Sequence, residues 1–241
     1  KKYKIIYDSR EIFSELAAHK KSTFKKKINK YIEKKCLSFV SSVITSAPSD
    51  EKHLKQIYPD NNHINFYVIY NYAHIYLDED FKLRKKLKIN LKSKIFLYQG
   101  VVQKDRGIGL LFRLITKIDN AVAVIVGNGE HEVYYKKKYQ HLSIQKKIFF
   151  INRVPYTKLL SITKEADVGC LFIKPVSLSN TLALPNKLFE YALCGIPSLA
   201  SHLPNVDYFI KKYNLGKTVN INSMQEIVSG ANALLKEDNQ K

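Results

Sequence analysis

Short runs of β-branched and other apolar residues alternate along this chain with longer amphipathic segments. The run at residues 121–126, Ala-Val-Ala-Val-Ile-Val, is apolar at every position and is followed by Gly127-Asn128-Gly129. A strand that is apolar throughout is typical of a parallel sheet whose two faces are both covered by helices. The alternation therefore predicts an α/β fold in which crossover helices connect parallel strands.

The two halves of the chain differ in how many strands they offer. The first half predicts three strands, at residues 3–7, 42–46 and 64–69, with helices at 24–39, 49–58 and 78–87. The second half predicts at least five strands, at 95–99, 121–126, 147–150, 167–172 and 198–201, with helices at 107–118, 130–141, 156–165, 187–193, 206–212 and 223–236. Because three strands bury little apolar area, we expect a partial domain with a linker over residues 1–90. A complete doubly wound domain is expected over 91–241.

The composition excludes several classes of protein. With 45% hydrophobic residues among 241, the chain is not disordered as a whole. It has neither a signal-peptide core nor the roughly 18 uninterrupted apolar residues of a membrane-spanning helix. Its cysteines, Cys36, Cys170 and Cys194, are odd in number and lack metal-knuckle spacing, so we expect all three to be reduced packing residues. The expected location is the cytoplasm.

The formal net charge of +19 comes from 40 Lys and Arg residues against 21 Asp and Glu residues. A basic surface attracts polyanions, and the lysines are equally compatible with ordinary solvated helix faces. No helix-turn-helix, zinc-finger or aromatic RNA-binding signature interrupts them, so no nucleic-acid partner is expected. The basic helix around residues 20–35 is the candidate for peripheral contact with an anionic membrane.

Two glycine-containing turns lie where doubly wound sheets bind ligands, at the carboxyl ends of strands. At residues 100–107, Lys104 and Arg106 precede a helix, and a guanidinium beside a helix N terminus can hold phosphate oxygens. At residues 127–129, Gly127 and Gly129 let the backbone pass close to a ligand. Each turn on its own is also compatible with a plain solvated or tight turn.

The segment that begins at Leu184 is the most specific in the chain. Asn186 follows a proline and is the expected N-cap of a helix. Lys187 and Glu190 share one face of that helix. A cation in the first turn opposes the helix dipole, which indicates a bound anion, and a carboxylate one turn on can accept both hydroxyls of a ribose. The alternative is a surface ion pair worth roughly a few tenths of a kcal/mol. The buried side of the helix is expected to hold Leu188, Ala192 and Leu193.

Residues 187–201, Lys-Leu-Phe-Glu-Tyr-Ala-Leu-Cys-Gly-Ile-Pro-Ser-Leu-Ala-Ser, resemble the donor-binding helix of glycosyltransferase family 4, a retaining group with the GT-B fold. Further matches follow the family's order, at residues 6–11, 43–46, 68–71, 97–100, 106–107, 126–129, 153–155, 159–160 and 166–169. The resemblance covers nearly the whole chain. It implies a GT-B fold, with one complete Rossmann-like domain preceded by part of a second one.

The resemblance implies roles for individual residues. Arg106 would contact the donor diphosphate, Lys187 would also face phosphate, and Glu190 would match the second glutamate of the family's E-x7-E motif, which binds the nucleotide ribose. The rest of the expected site lies at the helix start, the glycine turn and the cleft, and comprises Leu184, Asn186, Gly129, Arg10 and Glu11.

The chain departs from the family pattern at two positions of the donor site. Leu182 stands where the family's first glutamate touches the transferred sugar, and Val101 stands where an arginine follows the first glycine. The family's N-terminal glycine-rich loop and active-site histidine have no counterpart, so no catalytic residue is assigned. On this ground the fragment is expected to be inactive when alone.

The resemblance implies a hexosyltransferase that moves a sugar, with retention, from a nucleotide sugar to a glycan or lipid-linked acceptor. The expected setting is bacterial cell-surface polysaccharide synthesis, at the inner face of the membrane. No metal or other cofactor is expected, since protein cations would neutralise the donor phosphates and no D-x-D motif occurs. The alternatives are a non-catalytic nucleotide-binding or scaffolding relative and a module that binds anionic membranes.

Overall fold

The computed structural model of the chain describes residues 3–10, 12, 23–74 and 81–238. The chain divides into two compact units. The first consists of Lys1–Asn71, Pro175–Leu184 and Leu203–Asn205, and the second of Tyr72–Lys174, Pro185–His202 and Val206–Lys241. Each unit contains one parallel β-sheet.

The first unit is built on a three-stranded sheet of order β1-β2-β3. Up to Asn71, its elements in chain order are β1 (Ile6–Ser9), α1 (Thr23–Leu37), β2 (Ser42–Thr45), α2 (Pro48–Ile57) and β3 (Asn65–Val68). Leu37, Val43 and Leu54 lie in a small apolar core between the helices and the sheet. The carboxylate of the buried Glu33 accepts hydrogen bonds from two tyrosine hydroxyls in this core.

The remaining elements alternate helices and strands. In chain order they are α3 (Leu83–Leu87), β4 (Lys94–Gln99), a 3₁₀ turn (Lys104–Arg106), α4 (Ile108–Ile115), β5 (Ala121–Val126), α5 (Glu132–Lys138), α6 (Gln140–Ile144), β6 (Ile148–Ile151), α7 (Tyr156–Thr163), β7 (Val168–Leu171), α8 (Leu178–Thr181), α9 (Asn186–Leu193), β8 (Ser198–Ser201), α10 (Pro204–Tyr213), β9 (Gly216–Val219) and α11 (Met224–Asp238).

The sheet of the second unit has the order β6-β5-β4-β7-β8-β9, and all its strands are parallel. The chain winds outward from β4 in one direction and then from β7 in the other. The carboxyl ends of β4 and β7 therefore form the topological switch point, where sheets of this kind bind ligands. The predicted doubly wound fold is confirmed.

Both faces of this sheet are buried. Phe96 and Tyr98 of β4 belong to the core on one face, whereas Ile95 and Leu97 belong to the core on the other. Successive side chains of a strand point to opposite faces, so a strand covered on both sides is apolar at nearly every position. This explains the continuous apolar runs in the sequence.

The structure corrects several predicted elements. The sixth strand, β9, was not predicted, because Gly216–Val219 is an edge strand with one fully buried position. The single helix expected at residues 130–141 is two helices, α5 and α6, separated at Tyr139. Residues 173–186, for which the sequence predicted a loop between the strand at 167–172 and the helix at 187–193, contain α8, whose N terminus is capped by the Ser177 side chain. Of the cysteines, Cys36 is exposed, so its predicted packing role is wrong.

The basic segment after residue 80 forms ion pairs and hydrogen bonds within the second unit. Arg84 and Lys94 form ion pairs with Asp167, at 2.9 and 3.1 Å. The Glu165 carboxylate accepts hydrogen bonds from the first backbone amides of α3, and Leu83 is completely buried. Helix α3 begins at Leu83, because Lys82 is its N-cap in an extended conformation, so the predicted start was too early; residues 78–80 of the helix predicted at 78–87 lie outside the described residues. None of the helices within the described ranges combines the length and apolar character needed to cross a bilayer.

Candidate functional site

The turn that carries Arg106 lies directly after β4. Gly107 closes the 3₁₀ turn in the left-handed region, with φ of +68°, and a Cβ atom there would overlap Phe172, which follows β7. Only glycine fits without strain. The turn is thereby held against the end of β7, at the switch point. Arg106 is half-buried, and no side chain in the described part of the protein forms an ion pair or hydrogen bond with its guanidinium.

The second glycine turn packs against the first. A Cβ atom at Gly129 would overlap the backbone of Val102. The Val102 amide donates to the Asn128 carbonyl at 3.0 Å, and its carbonyl accepts from the His131 amide at 3.2 Å. Gly129 is therefore required for close packing between the two turns. Its predicted contact with the nucleotide sugar stays a prediction.

Helix α9 begins at Asn186, which is exposed, and its N-cap is Pro185, with no side-chain cap. The predicted N-cap role of Asn186 is wrong because Pro185 has the extended conformation and its carbonyl accepts the first helical hydrogen bond. Leu184 is buried and belongs to the first unit, whereas Asn186, Lys187 and Glu190 belong to the second.

The predicted buried face of α9 is only partly correct. Leu188 is fully buried, but Ala192 is half-buried and Leu193 is exposed. The helix instead buries Tyr191, whose ring occupies the space that a side chain at Gly169 of β7 would need. Because the side of α9 that carries Tyr191 faces inward, the neighbouring Glu190 is buried as well.

The ammonium group of Lys187 packs on an aromatic ring. Its Nζ lies 4.3 Å from the centroid of the Tyr98 ring and 3.2 Å from the position that a Cβ atom would take at Gly100. Tyr98 is buried, and its hydroxyl donates to the Val101 carbonyl at 2.6 Å. A cation over a desolvated ring is held by the negative face of the π system.

Lys187 interacts electrostatically with two other predicted residues, Arg106 and Glu190. Burial and the positive charge of Arg106 together lower the pKa of Lys187 to about 7, against the opposing effect of the negative charge of Glu190. Lys187 and Glu190 nevertheless form no ion pair with each other, so the simple surface pair considered from the sequence is not what this helix contains. The structure thus brings Arg106, Lys187 and Glu190 together at the switch point.

Sequence reasoning missed a buried polar chain behind Glu190. The Gln99 amide, at the last position of β4, donates to the Glu190 carboxylate. The Gln99 carbonyl oxygen accepts from the Thr163 hydroxyl at 2.8 Å. Burial raises the pKa of Glu190, whereas the Gln99 hydrogen bond and Lys187 oppose the rise. The available signal was an amide at the end of an otherwise apolar strand.

The other predicted positions lie elsewhere. Arg10 is exposed and its Nε donates to Asp8 at 3.0 Å, while Glu11 lies outside the described residues. Leu182 ends α8 and Val101 is exposed. Within the described ranges, no group of three or more His, Cys, Asp or Glu side chains is arranged to hold a metal ion.

A family profile described as glycosyl transferases group 1 matches residues 79–241 of this chain. HepE (Alr3699) of Anabaena in complex with UDP is a similar solved structure, with a TM-score of 0.76 at 15% identity over 98% of this chain and 64% of that one. Sucrose-phosphate synthase of Thermosynechococcus elongatus has a TM-score of 0.72 at 15% identity, over 97% and 59%. A mutant of S. aureus TarM, in a complex that includes UDP, has a TM-score of 0.63 at 16% identity, over 94% and 45%.

This chain spans 64% of the length of HepE, and at 15% identity the likeness shows the fold alone. No curated protein matches the sequence. The family profile covers more than half of the chain, and the similar structures are glycosyltransferases with the GT-B fold. The chain therefore belongs to the glycosyl transferases group 1 family.

Proposed function

We propose that this chain forms the donor-binding part of a retaining hexosyltransferase that uses a nucleotide sugar. The observation that carries the proposal is that Lys187 and Glu190 contact Tyr98 and Gln99, consecutive residues at the end of β4, and that Arg106 lies in the turn that follows this strand. The Anabaena HepE structures contain UDP and UDP-glucose, which supports a uridine diphosphate sugar as the first donor to test. Residues 91–241 would be the donor domain, and residues 1–90 a part of the acceptor-side domain with its linker.

In this proposal the two cationic side chains, Arg106 and Lys187, bind the diphosphate of the donor. The Arg106 guanidinium can bind two phosphate oxygens at once, and the Lys187 ammonium adds a point charge. As the bond to the sugar breaks, the leaving nucleoside diphosphate gains negative charge, which both groups stabilise. The donor charge is then met by protein groups rather than by a metal ion.

The Glu190 carboxylate would accept hydrogen bonds from the ribose hydroxyls and so fix the nucleotide. Leu182 and Val101 cannot replace the carboxylate and guanidinium that relatives carry, so contacts with the transferred sugar must come from other groups. We propose a glycan or lipid-linked acceptor in cell-surface polysaccharide synthesis, used at the cytoplasmic face of the membrane.

The donor role is tested by the variant Arg106→Ala, with Lys104→Ala as the matched control. Both remove one positive charge from the same 3₁₀ turn, but Lys104 is exposed. Losing a hydrogen bond between charged groups costs about 1.5–3 kcal/mol. Titration calorimetry with UDP should therefore show a Kd raised about tenfold or more in Arg106→Ala. The Kd of Lys104→Ala should stay close to the wild-type value. Equal nucleotide affinity in Arg106→Ala and wild type would contradict the proposal.

A second candidate function, contact with an anionic membrane, is supported by the outer face of α1. Phe24, Ile28, Tyr31 and Ile32 are 74, 41, 64 and 52% exposed, and their spacing places them in one stripe. Exposed lysines lie on either side of the stripe, namely Lys25, Lys27 and Lys34, and Lys35 extends over the Tyr31 ring of the stripe itself. An apolar stripe between basic residues is typical of helices that lie in a membrane interface.

Vesicle sedimentation tests this second function. Binding to vesicles with phosphatidylserine should exceed binding to phosphatidylcholine alone and should weaken as salt screens the lysines. Ile28→Asp should abolish it, whereas Phe39→Asp, at an exposed position beyond α1, should not. Binding that is absent, or that is unaffected by both salt and Ile28→Asp, would contradict the membrane role.

A further inference from the structure

Three polar side chains from three different elements form a chain in the apolar interior of the second unit. Thr163 ends α7 and is 0% exposed, Gln99 ends β4 and is 1% exposed, and Glu190 lies in α9 and is 8% exposed. A buried polar group without a partner costs about 1–3 kcal/mol, so a chain of this kind is tolerated only when its members satisfy one another.

The order of donors and acceptors in this chain is fixed by Glu190. An ionised carboxylate can only accept, so the Nε2 amide of Gln99 must face it. The amide oxygen Oε1 then faces the other way and needs a donor, which is the Thr163 hydroxyl at 2.8 Å. That hydroxyl also lies 2.8 Å from the Leu159 carbonyl oxygen, so its single proton is shared between two acceptors. The Gln99 side chain therefore has one orientation.

This arrangement leaves part of the Glu190 carboxylate available. Gln99 holds the oxygen Oε2, and among the residues that the structure describes, no second side chain or amide donates to this carboxylate. A carboxylate has about four lone-pair sites. The remaining sites accept no hydrogen bond from the described residues.

From this geometry we infer that Gln99 and Thr163 are positioning residues that orient Glu190 for the ribose hydroxyls of the donor nucleotide. The inference rests on the proposed function, in which Glu190 binds the ribose. Gln99 and Thr163 do not touch the nucleotide. They act by preventing the Glu190 carboxylate from rotating, so that its contact with the diol requires no rearrangement on binding.

Selectivity between ribose and deoxyribose measures this role. Titration calorimetry would give Kd values for UDP and 2′-deoxy-UDP, and for the ADP and GDP pairs if the wild type does not bind UDP. Loss of one hydroxyl that donates to a carboxylate should weaken wild-type binding by roughly 10- to 100-fold. In Gln99→Met, which keeps the side-chain length but lacks the amide, this ratio should fall at least about fivefold toward one. Thr163→Val should reduce it in the same way.

The control variant is Thr163→Ser, which keeps the hydroxyl and should keep the wild-type ratio. A purely structural role would weaken the ribo- and deoxyribonucleotides equally, so an unchanged ratio in both Gln99→Met and Thr163→Val would overturn the inference. A wild-type protein that binds no nucleotide, or that binds both members of each pair equally, would instead contradict the proposed function. Thermal melts of each variant identify one that fails to fold, in which case the other variant decides.

Discussion

Raising the pH from 7 to 9 should weaken nucleoside diphosphate binding, because Lys187 would lose its proton. In the unliganded protein the pKa of Lys187 is lowered to about 7 by burial and by Arg106, against the opposing effect of Glu190. A diphosphate beside the ammonium would favour its charged form and raise this pKa again. Binding is then coupled to uptake of a proton at Lys187.

The sign and the size of the effect follow from the two pKa values of this group. Below pH 7 the lysine is already protonated, so binding needs no proton. Above pH 7 binding must take one up, and the Kd rises by up to tenfold per pH unit until the pKa of the complex is reached. If the complex restores a pKa of roughly 10.4, as in an ordinary lysine, the Kd rises roughly 50-fold between pH 7 and 9, or roughly 2.3 kcal/mol.

Few other groups around Lys187 change charge in this range. Burial raises the pKa of Tyr98, so its hydroxyl stays neutral throughout this range. Glu190, whose pKa is raised, is tested separately with Glu190→Gln. Starting at pH 7 also avoids most of the second phosphate ionisation, which lies near pH 6 in phosphate monoesters.

The assay is titration calorimetry with UDP at pH 7, 8 and 9 and constant salt. Repeating the pH 8 titration in buffers of different ionisation enthalpy should reveal uptake of roughly 0.9 proton per UDP bound. Lys187→Met should bind more weakly at pH 7 and should show neither the uptake nor the added slope. A wild-type Kd that stays constant from pH 7 to 9, or an equal slope in Lys187→Met, would refute the reasoning.

Two further predictions concern stability, measured by urea unfolding. Gly107→Ala should lower the free energy of unfolding by about 2–3 kcal/mol, because its Cβ would overlap Phe172 in a left-handed conformation. Gly195→Ala has a similar φ of +71° but open space around it, so it should cost only about 1 kcal/mol, and equal losses would contradict the overlap. Asp167→Asn should cost about 1–3 kcal/mol, because it breaks two half-buried ion pairs. Asp60→Asn breaks an exposed pair and should cost close to nothing, so similar losses would count against this account.

Local patterns predicted most strands and helices of this chain well, but missed one edge strand of the larger sheet. The run at β5 is apolar throughout because both of its faces are covered, so its assignment needed no tertiary information. Strand β9 was missed because its single buried position, Val219, leaves no alternation to detect. The order of the strands depends on which face of the sheet each connecting helix covers. The hydrophobic periodicity of a single segment carries no information about that.

The candidate site shows the same division between local and distant information. Lys187 and Glu190 are three residues apart on one helix, so their proximity could be predicted from spacing alone. Gln99 and Thr163 are 64 residues apart, and their contact exists only because α7 and the end of β4 meet in the folded unit. The exposure of Leu193 was mispredicted for a related reason, since the bulk of Tyr191 against β7 decides which side of α9 faces inward.

The same packing explains why opposite charges one turn apart on α9 do not neutralise each other. The Lys187 ammonium rests on the Tyr98 ring, and the Glu190 carboxylate is held by the Gln99 amide. Both supports come from consecutive residues of β4, whose side chains point to opposite faces of the sheet. The end of one strand therefore separates the cation from the anion. Because the two groups do not pair with each other, each can still bind a ligand at the switch point. The Lys187 ammonium can bind phosphate, and the Glu190 carboxylate can accept hydrogen bonds from hydroxyl groups.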